Sequence, residues 1–307
     1  MVENQIELAS PLSELPESAR TFSLIIPCFN EEEAIETTIT QVTTLLSSLE
    51  PFELIVVNDG SNDRTGELLD EICQKHPTLK IVHHDRNRGY GASLKSGILA
   101  AKSELIGITD ADGTYPTQTL IELTKLAEAH EMVVGSRTGA NVDYSKIRRI
   151  PKVFLTSYAS WIAKERIPDL NSGMRVFRRS VALKYLHMLP DGFSFTTTIT
   201  LAHLTNNHSV LFHPIDYKRR IGKSKIQPIR DTLRFVQLIA RMGMYFAPLR
   251  VLAPVILVLC VLFAISIGYD VFVIKNLTDK SVLLLMFTMN TALFGLLADM
   301  IEKRSRH

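Results

Sequence analysis

Two aspartates one residue apart, Asp110 and Asp112, directly follow a short apolar segment, residues 105–109, that we predict to be a buried strand. Two carboxylates in this spacing can face one hard divalent cation, Mg²⁺ or Mn²⁺, whose remaining ligands would be diphosphate oxygens. A helix cap and a solvated turn account for an isolated pair of this kind equally well. Asp59 also follows a predicted strand, and this second acidic strand end favours the metal interpretation.

Strands and helices alternate through the first part of the chain and would place these aspartates at one edge of a sheet. Short apolar segments separated by longer helical patterns predict a parallel sheet covered on both faces. In such sheets ligands bind beyond the carboxyl ends of the strands, where Asp59, Asp110 and Arg137 would lie. Asn30, followed by three glutamates, is predicted to cap the first helix. The predicted strands are residues 22–27, 53–58, 79–83, 105–109 and 132–136, and the predicted helices are residues 30–48, 63–75, 90–102 and 117–130.

Composition and missing motifs exclude several functional classes. With 46% hydrophobic and 21% charged residues among 307, the chain can bury a core and is not disordered. Its formal net charge of +2 gives no basic field for nucleic acid, which we exclude as a partner. No GxxxxGK[ST] loop is present, and no GxGxxG follows the first predicted strand. The sequence therefore lacks the main motifs of ATP hydrolases and of NAD-binding enzymes. The three cysteines, Cys28, Cys73 and Cys260, lack metal spacing and indicate no disulfide scaffold.

The C-terminal end has the pattern of a membrane anchor. Residues 251–269 and 282–298 carry no charge, and each run is close to the roughly 20 apolar residues that a spanning helix needs. The alternative is a helical hairpin enclosed in a large soluble core. Lys and Arg flank the pair on both outer sides, which predicts cytoplasmic termini and places residues 270–281 on the opposite side. Residues 226–247 mix apolar and basic positions at helical spacing, which predicts an interfacial amphipathic helix or, alternatively, an ordinary surface helix.

Six short motifs stand in order over about residues 20–235. They are Pro27-Cys28-Phe29-Asn30-Glu31, Val57-Asn58-Asp59-Gly60-Ser61 with Asp63 and Thr65, Asp110-Ala111-Asp112, Gly135-Ser136-Arg137, Asn171-Ser172-Gly173-Met174-Arg175-Val176-Phe177, and Arg219-Arg220-Ile221-Gly222-Lys223-Ser224-Lys225. Together they resemble the family-2 glycosyltransferases. The last two are similar to those of the dolichol-phosphate mannose synthase-like branch, whose members transfer sugars to polyprenyl phosphates. Several motifs in the same order are far more specific than any one of them.

This resemblance implies a type-A nucleotide-diphospho-sugar transferase fold. Such a fold is α/β and Rossmann-like with a mostly parallel sheet, and here an amphipathic interfacial helix and two transmembrane helices would follow it. No signal peptide is visible at the start of the sequence. We therefore expect an N-terminal tail at 1–20, a glycosyltransferase catalytic domain at 21–225, a juxtamembrane helix at 226–247, a transmembrane hairpin at 248–301 and a basic cytoplasmic tail at 302–307.

The resemblance also implies roles for individual residues. Residues at the ends of the first two strands would hold the base and ribose of a nucleoside-diphosphate sugar, and the acidic pair would serve Mg²⁺ or Mn²⁺ and the diphosphate. Basic residues would bind phosphate groups of donor and acceptor, although each one taken singly is more simply explained as a solvated surface charge. The implied donor-binding residues are Pro27, Phe29, Glu31, Val57, Asp59, Asp110 and Ala111; the implied catalytic and metal residues are Asp110 and Asp112; the implied phosphate-binding residues are Arg137, Arg148 or Arg149, Arg219 and Lys225.

Two positions depart from the pattern of that branch. Relatives commonly carry Gln as a further metal ligand where this chain has Thr114, so Thr114 is a doubtful ligand. Residues 192–198, rich in Ser and Thr, stand where relatives often carry an acid, which a hydroxyl acceptor would need as a general base. A phosphate acceptor, with a second pKa of about 6, is already largely ionised. The missing acid therefore fits a phosphate acceptor, although Asp191 lies close by in sequence.

The sequence thus predicts a metal-dependent, membrane-anchored hexosyltransferase-type enzyme. It would move one sugar from a nucleoside diphosphate to an undecaprenyl or dolichyl type of polyprenyl phosphate on the cytoplasmic face, with inversion, in cell-envelope or glycoconjugate biosynthesis. One alternative is a family-2 transferase acting on a sugar hydroxyl of a glycolipid. Another is a non-catalytic nucleotide-sugar-binding membrane subunit, against which the intact Asp59, Asp110 and Asp112 count. The sugar, the base, the prenol and the formation of a homo-oligomer stay open.

Overall fold

The computed structural model of the chain describes residues 22–47, 51–76, 78–139, 149–217, 237, 240–241 and 243–305. Its strands are β1 (Phe22–Cys28), β2 (Phe52–Asn58), β3 (Leu79–His83), β4 (Leu105–Ile108), β5 (Met132–Ser136), β6 (Arg175–Arg178) and β7 (Val210–Pro214). Its helices are α1 (Ile35–Leu46), α2 (Thr65–Lys75), α3 (Tyr90–Ala100), α4 (Thr119–Leu126), α5 (Arg149–Ala163), α6 (Arg179–Tyr185), α7 (Phe195–Thr205), α8 (Pro248–Tyr269) and α9 (Asp279–Ser305), with a π-helical turn at Asp270–Ile274 between the last two. All five predicted strands are present.

The described strands form one seven-stranded sheet in the order β3-β2-β1-β4-β6-β5-β7. β1 pairs in parallel with β2 and β4, so that Cys28 lies beside Asn58 and Ile25 beside Ile108. The sheet is mostly parallel, as expected, and β6 is the exception, because it runs antiparallel to both β4 and β5. The amino end of β6 therefore meets the carboxyl ends of its neighbours, and the segment before it reaches the edge where the sequence predicts a ligand site.

Helices cover both faces of the sheet because the central strands are apolar on both sides. Along β1, Leu24 and Ile26 face a core shared with α1, α2 and α4, whereas Ile25 faces a core shared with α3 and α7. This alternation follows from the period of two residues in a strand. A strand that is buried on both faces reads as a continuous apolar run, which is why β1, β2 and β4 were recognisable in the sequence.

The loop after β1 differs from the prediction. Asn30 does not cap a helix: α1 begins at Ile35, and Ala34 precedes it without a side-chain cap. Asn30 instead adopts a left-handed φ of 54°, and its Oδ1 accepts a hydrogen bond from the Asn62 amide at 2.8 Å. The residue therefore joins the loop after β1 to the loop after β2. Asn tolerates this backbone region better than most residues, which explains its suitability there.

The two C-terminal helices, α8 and α9, form an antiparallel hairpin. Pro248–Ile274 and Asp279–Arg304 are both long and apolar enough to cross a membrane. Their large apolar side chains are mostly exposed, including Leu257 at 65% and Phe287 at 62%. That exposure does not fit the alternative of a hairpin enclosed in a soluble core.

The connection between α8 and α9 is closed by a buried carboxylate. Asp270 Oδ2 accepts hydrogen bonds from the Thr278 amide at 2.9 Å, the Thr278 hydroxyl at 2.7 Å and the Ser281 hydroxyl at 2.6 Å. Ser281 in turn contacts Ser266 of α8 at 2.6 Å. These contacts join the end of α8 to the first turn of α9 and fix the reversal of the chain.

The hairpin is packed against the sheet domain. Phe246 and Ala247, directly before α8, are buried in a cluster that includes Ile162 of α5 and Leu201 of α7. Arg250 Nη1 in the first turn of α8 donates a hydrogen bond to the Ile162 carbonyl. The base of the hairpin is therefore part of the same packed body as α5 and α7.

Candidate active site

Residues from four strands meet at the carboxyl edge of the sheet. Asp59 follows β2, Asp110 follows β4 and Arg137 follows β5, and these strands run in the same direction. Because β6 runs the opposite way, Gly173 arrives at this edge just before β6 begins. The structure thus brings together groups that lie more than a hundred residues apart in the chain.

Asp110 is held between a hydroxyl and a glycine. The Tyr90 hydroxyl donates a hydrogen bond to Asp110 Oδ1 at 3.1 Å. On the other side, a Cβ built on Gly173 would lie only 2.7 Å from Oδ2 and 2.9 Å from Oδ1 of Asp110. Burial and the charge of Asp110 raise the pKa of Tyr90 well above its ordinary value, so its hydroxyl stays protonated and donates. The carboxylate is therefore confined in one orientation.

Asp112 is braced by its own turn. Its Oδ1 accepts a hydrogen bond from the Thr114 hydroxyl at 2.7 Å and from the Thr114 amide at 3.2 Å. Thr114 is 2% exposed, which places its hydroxyl inside the turn. The neighbouring Ala111 carbonyl accepts a hydrogen bond from Thr38 of α1 at 2.9 Å, so the loop is tied to the helix behind it.

The donor set of this loop fits a hard divalent cation that also binds substrate oxygens. Asp110 and Asp112 both lie half-buried after β4 and offer carboxylate oxygens, the ligands that Mg²⁺ and Mn²⁺ prefer. Among the described residues, no group of three or more His, Cys, Asp and Glu side chains could hold a metal by itself. The residues therefore suit a cation whose shell a bound diphosphate completes.

Asp59 lies beneath this edge with its own set of partners. The side chain is buried, and its Oδ1 contacts His84 Nδ1 at 2.7 Å and accepts the Arg88 amide at 2.9 Å. Its Oδ2 accepts the Gly89 amide at 2.8 Å. These contacts fix the loop that leads from β3 into α3, where Tyr90 stands. No motif surrounds His84, and its place beside Asp59 is not predictable from the sequence.

Arg137 forms a bidentate ion pair with a buried aspartate. Its Nε donates to Asp169 Oδ2 at 2.7 Å and its Nη2 donates to Asp169 Oδ1 at 3.0 Å. Its guanidinium also lies over the Tyr217 ring, 5.3 Å from the centroid. Paired hydrogen bonds of this kind fix the plane of the guanidinium. Arg137 is a predicted site residue, whereas its partners Asp169 and Tyr217 are marked by no short motif and were not predicted.

The segment before β6 connects the arginine to the carboxylate. The Gly173 amide donates to the Tyr115 hydroxyl at 2.7 Å, and the Tyr115 ring packs edge-on against Tyr217 at 5.1 Å. Tyr217 lies under Arg137, whereas Gly173 lies against Asp110. Asp110 and Arg137 are therefore positioned by one continuous set of contacts.

A fully buried arginine side chain packs next to the segment before β6. Arg175 donates hydrogen bonds to the Thr196 carbonyl at 3.0 Å and to the Thr200 hydroxyl at 2.9 Å, both in α7. It also donates to the Ser172 carbonyl at 2.5 Å. Burial lowers the pKa of Arg175 to about 10, so the group stays charged at neutral pH. Arg175 belongs to one of the six sequence motifs, but its buried position was not predicted.

The residues expected to hold the base and ribose lie at the ends of β1 and β2. Pro27 and Val57 are register partners in these strands and are both buried, while Phe29 and Glu31 are half-buried in the following loop. The Glu31 amide donates to the Thr65 hydroxyl at 2.9 Å, which ties that loop to the start of α2. The structure thus gathers these residues beside Asp59, and their contact with a nucleotide stays a prediction.

The remaining predicted residues lie outside the described part of the chain or at its limits. Arg148, Arg219 and Lys225 are outside the described residues, as is most of the predicted amphipathic helix. Arg149 is the first residue of α5, and only its backbone is described. Their phosphate-binding roles stay predictions.

Two models of known families match the chain, one in its N-terminal part and one in its C-terminal part. The model of the glycosyl transferase family 2 matches residues 23–186, and the model of the GtrB C-terminal hairpin matches residues 247–303. The two matches correspond to the sheet domain and to the α8–α9 hairpin. The second match and the two apolar helices indicate that the chain associates with a membrane.

Two curated relatives show the range of similarity. A dolichyl-phosphate beta-glucosyltransferase of Trichomonas vaginalis is 29% identical over 52% of this chain and 52% of its own length. A dodecaprenyl-phosphate galacturonate synthase of Rhizobium johnstonii is 24% identical over 94% of this chain and 89% of its own length. The chain thus spans about half the length of the Trichomonas relative and most of the Rhizobium one.

A solved structure shows the same fold in the sheet domain. Glucosyl-3-phosphoglycerate synthase of Mycobacterium tuberculosis, crystallised with Mn²⁺, UDP and phosphoglyceric acid, superposes with a TM-score of 0.57 at 16% identity. The superposition covers 73% of this chain and 78% of that protein. At this identity the likeness establishes the fold, which agrees with the nucleotide-diphospho-sugar transferase architecture expected from the sequence.

Proposed function

Because the chain belongs to glycosyl transferase family 2, we propose that it transfers one sugar from a nucleoside-diphosphate sugar to a polyprenyl phosphate. The observation that carries this proposal is the meeting of Asp110, Asp112 and Arg137 at one edge of the sheet, in a chain that also carries a hairpin of the GtrB type. The curated relatives named for transfer to dolichyl and dodecaprenyl phosphates support the acceptor class.

The acidic pair would receive the donor diphosphate. Asp110 and Asp112 would hold Mg²⁺ or Mn²⁺, which when bound supplies positive charge against the leaving diphosphate. Solved neighbours contain Mn²⁺ or Mg²⁺ with UDP, which supports use of a divalent metal in this fold. Thr114 is better suited to bracing Asp112 than to replacing a Gln ligand, because its hydroxyl already donates to Asp112 at 2.7 Å.

A phosphate acceptor fits the surroundings of the site better than a hydroxyl acceptor does. The nearby acid that the sequence offered as a general base, Asp191, forms an ion pair with Lys95 at 2.7 Å. Its carboxylate is therefore turned toward α3. A lipid phosphate is largely ionised at neutral pH and needs no base to become a nucleophile. Transfer would then be a single displacement at the anomeric carbon, with inversion.

The decisive test is a panel assay on the purified full-length protein in lipid nanodiscs. Nucleoside-diphosphate sugars with uracil and guanine bases are each offered with polyprenyl phosphate, and lipid-linked sugar is detected by mass spectrometry. We expect one donor to give a product whose mass equals polyprenyl phosphate plus one sugar residue, and only when divalent metal is present. Transfer to a glycolipid hydroxyl, with none to polyprenyl phosphate, would contradict the acceptor assignment. Nucleotide-sugar binding without any transfer would support a non-catalytic subunit.

We further propose that the sheet domain and both termini are cytoplasmic and that the connection between α8 and α9 faces the opposite side. The charge distribution on the flanks of the hairpin supports this orientation. In a chain whose three native cysteines are replaced, Asn276→Cys is expected to react with an impermeant maleimide added to intact cells, because Asn276 is exposed in that connection. A cysteine placed at Ser305 serves as the control, and labelling of the Ser305→Cys chain alone would show the reverse topology.

Lys225 is proposed to bind the acceptor phosphate. It precedes the expected interfacial helix, and a lysine supplies the point charge that a phosphate attracts. Lys225→Ala is expected to raise the acceptor KM or to lower kcat by at least about tenfold, roughly 1.4 kcal/mol. Nucleotide binding measured by calorimetry should change much less. Lys223→Ala is the matched control, and equal behaviour of the two variants in the transfer assay would remove this assignment.

A further inference from the structure

Tyr90, the first residue of α3, contacts the proposed active site, although it belongs to none of the six sequence motifs. Its hydroxyl donates to Asp110 Oδ1 at 3.1 Å. We infer that Tyr90 is a positioning residue, whose hydroxyl keeps Asp110 in the orientation that binds the divalent cation and the donor diphosphate. This inference rests on the proposed function, because it assigns Asp110 to the cation.

Tyr90 is itself held from several sides. Its ring stacks on the Phe193 ring with centroids 5.7 Å apart and planes 19° apart. The residue before it, Gly89, donates its amide to the buried carboxylate of Asp59 at 2.8 Å. Two residues after it, the Ala92 amide donates to the Asp191 carbonyl at 3.0 Å. The hydroxyl therefore reaches Asp110 from a fixed base, as a positioning group must.

The close packing around Tyr90 leaves little room for a different arrangement. Gly89 has a φ of 105°, and a Cβ on it would lie 2.5 Å from the Asp191 carbonyl oxygen. A Cβ on Gly91 would overlap the Pro190 carbonyl oxygen. Both glycines flank Tyr90, and both are needed for the loop before α7 to lie directly on the start of α3. The sequence thus maintains the close approach that brings Phe193 onto the Tyr90 ring.

The Tyr90 hydroxyl adds a directed contact to the restraint that Gly173 places on Asp110. Gly173 blocks one side of the carboxylate, as its proximity to both carboxylate oxygens shows. On another side, the Tyr90 hydroxyl donates a hydrogen bond to Oδ1. Loss of that hydrogen bond would remove one of the contacts that hold the carboxylate in the orientation used for the cation. Loss of such an outer partner typically weakens a metal site by about 10–100-fold.

The test compares two variants that each remove one hydrogen-bonded tyrosine hydroxyl. Tyr90→Phe keeps the ring and its stacking on Phe193. Tyr185→Phe is the control, because the Tyr185 hydroxyl contacts His208 Nε2 at 3.2 Å, near the amino ends of β5 and β7 at the opposite edge of the sheet. Mn²⁺ binding to the full-length detergent-solubilised proteins is measured by electron paramagnetic resonance, in the presence of UDP and separately of GDP.

For Tyr90→Phe we expect the apparent Kd for Mn²⁺ to rise by about tenfold or more. We expect kcat at a fixed low Mn²⁺ concentration to fall by a similar factor and to recover in part at saturating Mn²⁺, with the acceptor KM unchanged. Tyr185→Phe should bind Mn²⁺ as the unaltered chain does. A merely structural role of Tyr90 would lower the melting temperature without this metal-dependent recovery.

Two outcomes would overturn the inference in different ways. If the unaltered chain transfers sugar and Tyr90→Phe binds Mn²⁺ with the same affinity, Tyr90 does not position Asp110 and the proposed function stands. If the unaltered chain neither transfers sugar nor binds Mn²⁺ with either nucleotide, the proposed function fails and this inference fails with it.

Discussion

Replacement of Asp112 by Asn is expected to abolish sugar transfer, with a loss of at least about a thousandfold in kcat. The substitution removes one negative charge from the pair that would hold the cation, and metal-based charge stabilisation is worth several kcal/mol in the transition state. The fold should survive, because the amide oxygen of Asn can still accept the hydrogen bonds that Thr114 donates to Oδ1. Turnover of purified Asp112→Asn, at several Mg²⁺ and Mn²⁺ concentrations, measures this loss.

Asp85→Asn provides the matched control for that experiment. Asp85 is an exposed acid just after β3, at the same edge of the sheet, so its replacement makes an equal change in charge. It should leave turnover within about twofold, because a substitution at an exposed site usually changes the stability by no more than about 0.5 kcal/mol. Near-normal turnover of Asp112→Asn in chelator-treated buffer would contradict both the role of Asp112 and the requirement for a metal.

Replacement of Gly173 by Ala is expected to lower kcat by about a hundredfold. The added methyl group would lie 2.7 Å and 2.9 Å from the two carboxylate oxygens of Asp110, closer than non-bonded atoms tolerate. Asp110 would have to move, and a displacement of about 1 Å at a reacting centre can cost a hundredfold in rate. Turnover and Mn²⁺ affinity of the purified variant should fall together, because both depend on the same carboxylate.

Gly268→Ala is the control for the added methyl group. A Cβ on Gly268, the second-last residue of α8, meets no atom within 4 Å, so the substitution should leave turnover unchanged. If Gly173→Ala keeps full activity, Asp110 can shift to accommodate the added methyl group. Its confined orientation would then not be required for catalysis.

The strands and the acidic pair were predictable because their signals are local. β1, β2 and β4 consist mostly of apolar residues, and the polar residues at and after their ends mark the carboxyl edge. The position of Asp110 at that edge follows from the rule that parallel strands end together. The same pattern could not reveal β6, whose four residues Arg175–Arg178 contain two arginines and do not read as a strand.

The partners of the site residues were not predictable, because they come from distant segments. Arg137 is paired with Asp169, 32 residues away, and Gly173 with Tyr115, 58 residues away. No spacing rule connects residues at such separations, since their contact depends on which strands become neighbours. Asn30 shows a related difficulty: a good capping residue before three acids predicts a helix start, but its hydrogen bond to the next loop decides its conformation instead.

The packing of Phe246 beneath the hairpin would connect a surrounding membrane mechanically to the proposed active site. Helices adjust their tilt when the thickness of the surrounding bilayer changes. Phe246 and Arg250 pack the base of α8 against α5, and α5 packs against α7. A change in the tilt of α8 would therefore displace both helices. α7 also carries Thr197, whose hydroxyl donates to Asn171 at 2.6 Å, two residues from Gly173. The lipid composition of the bilayer would then act as an allosteric effector of the transferase, with no ligand bound to any regulatory pocket.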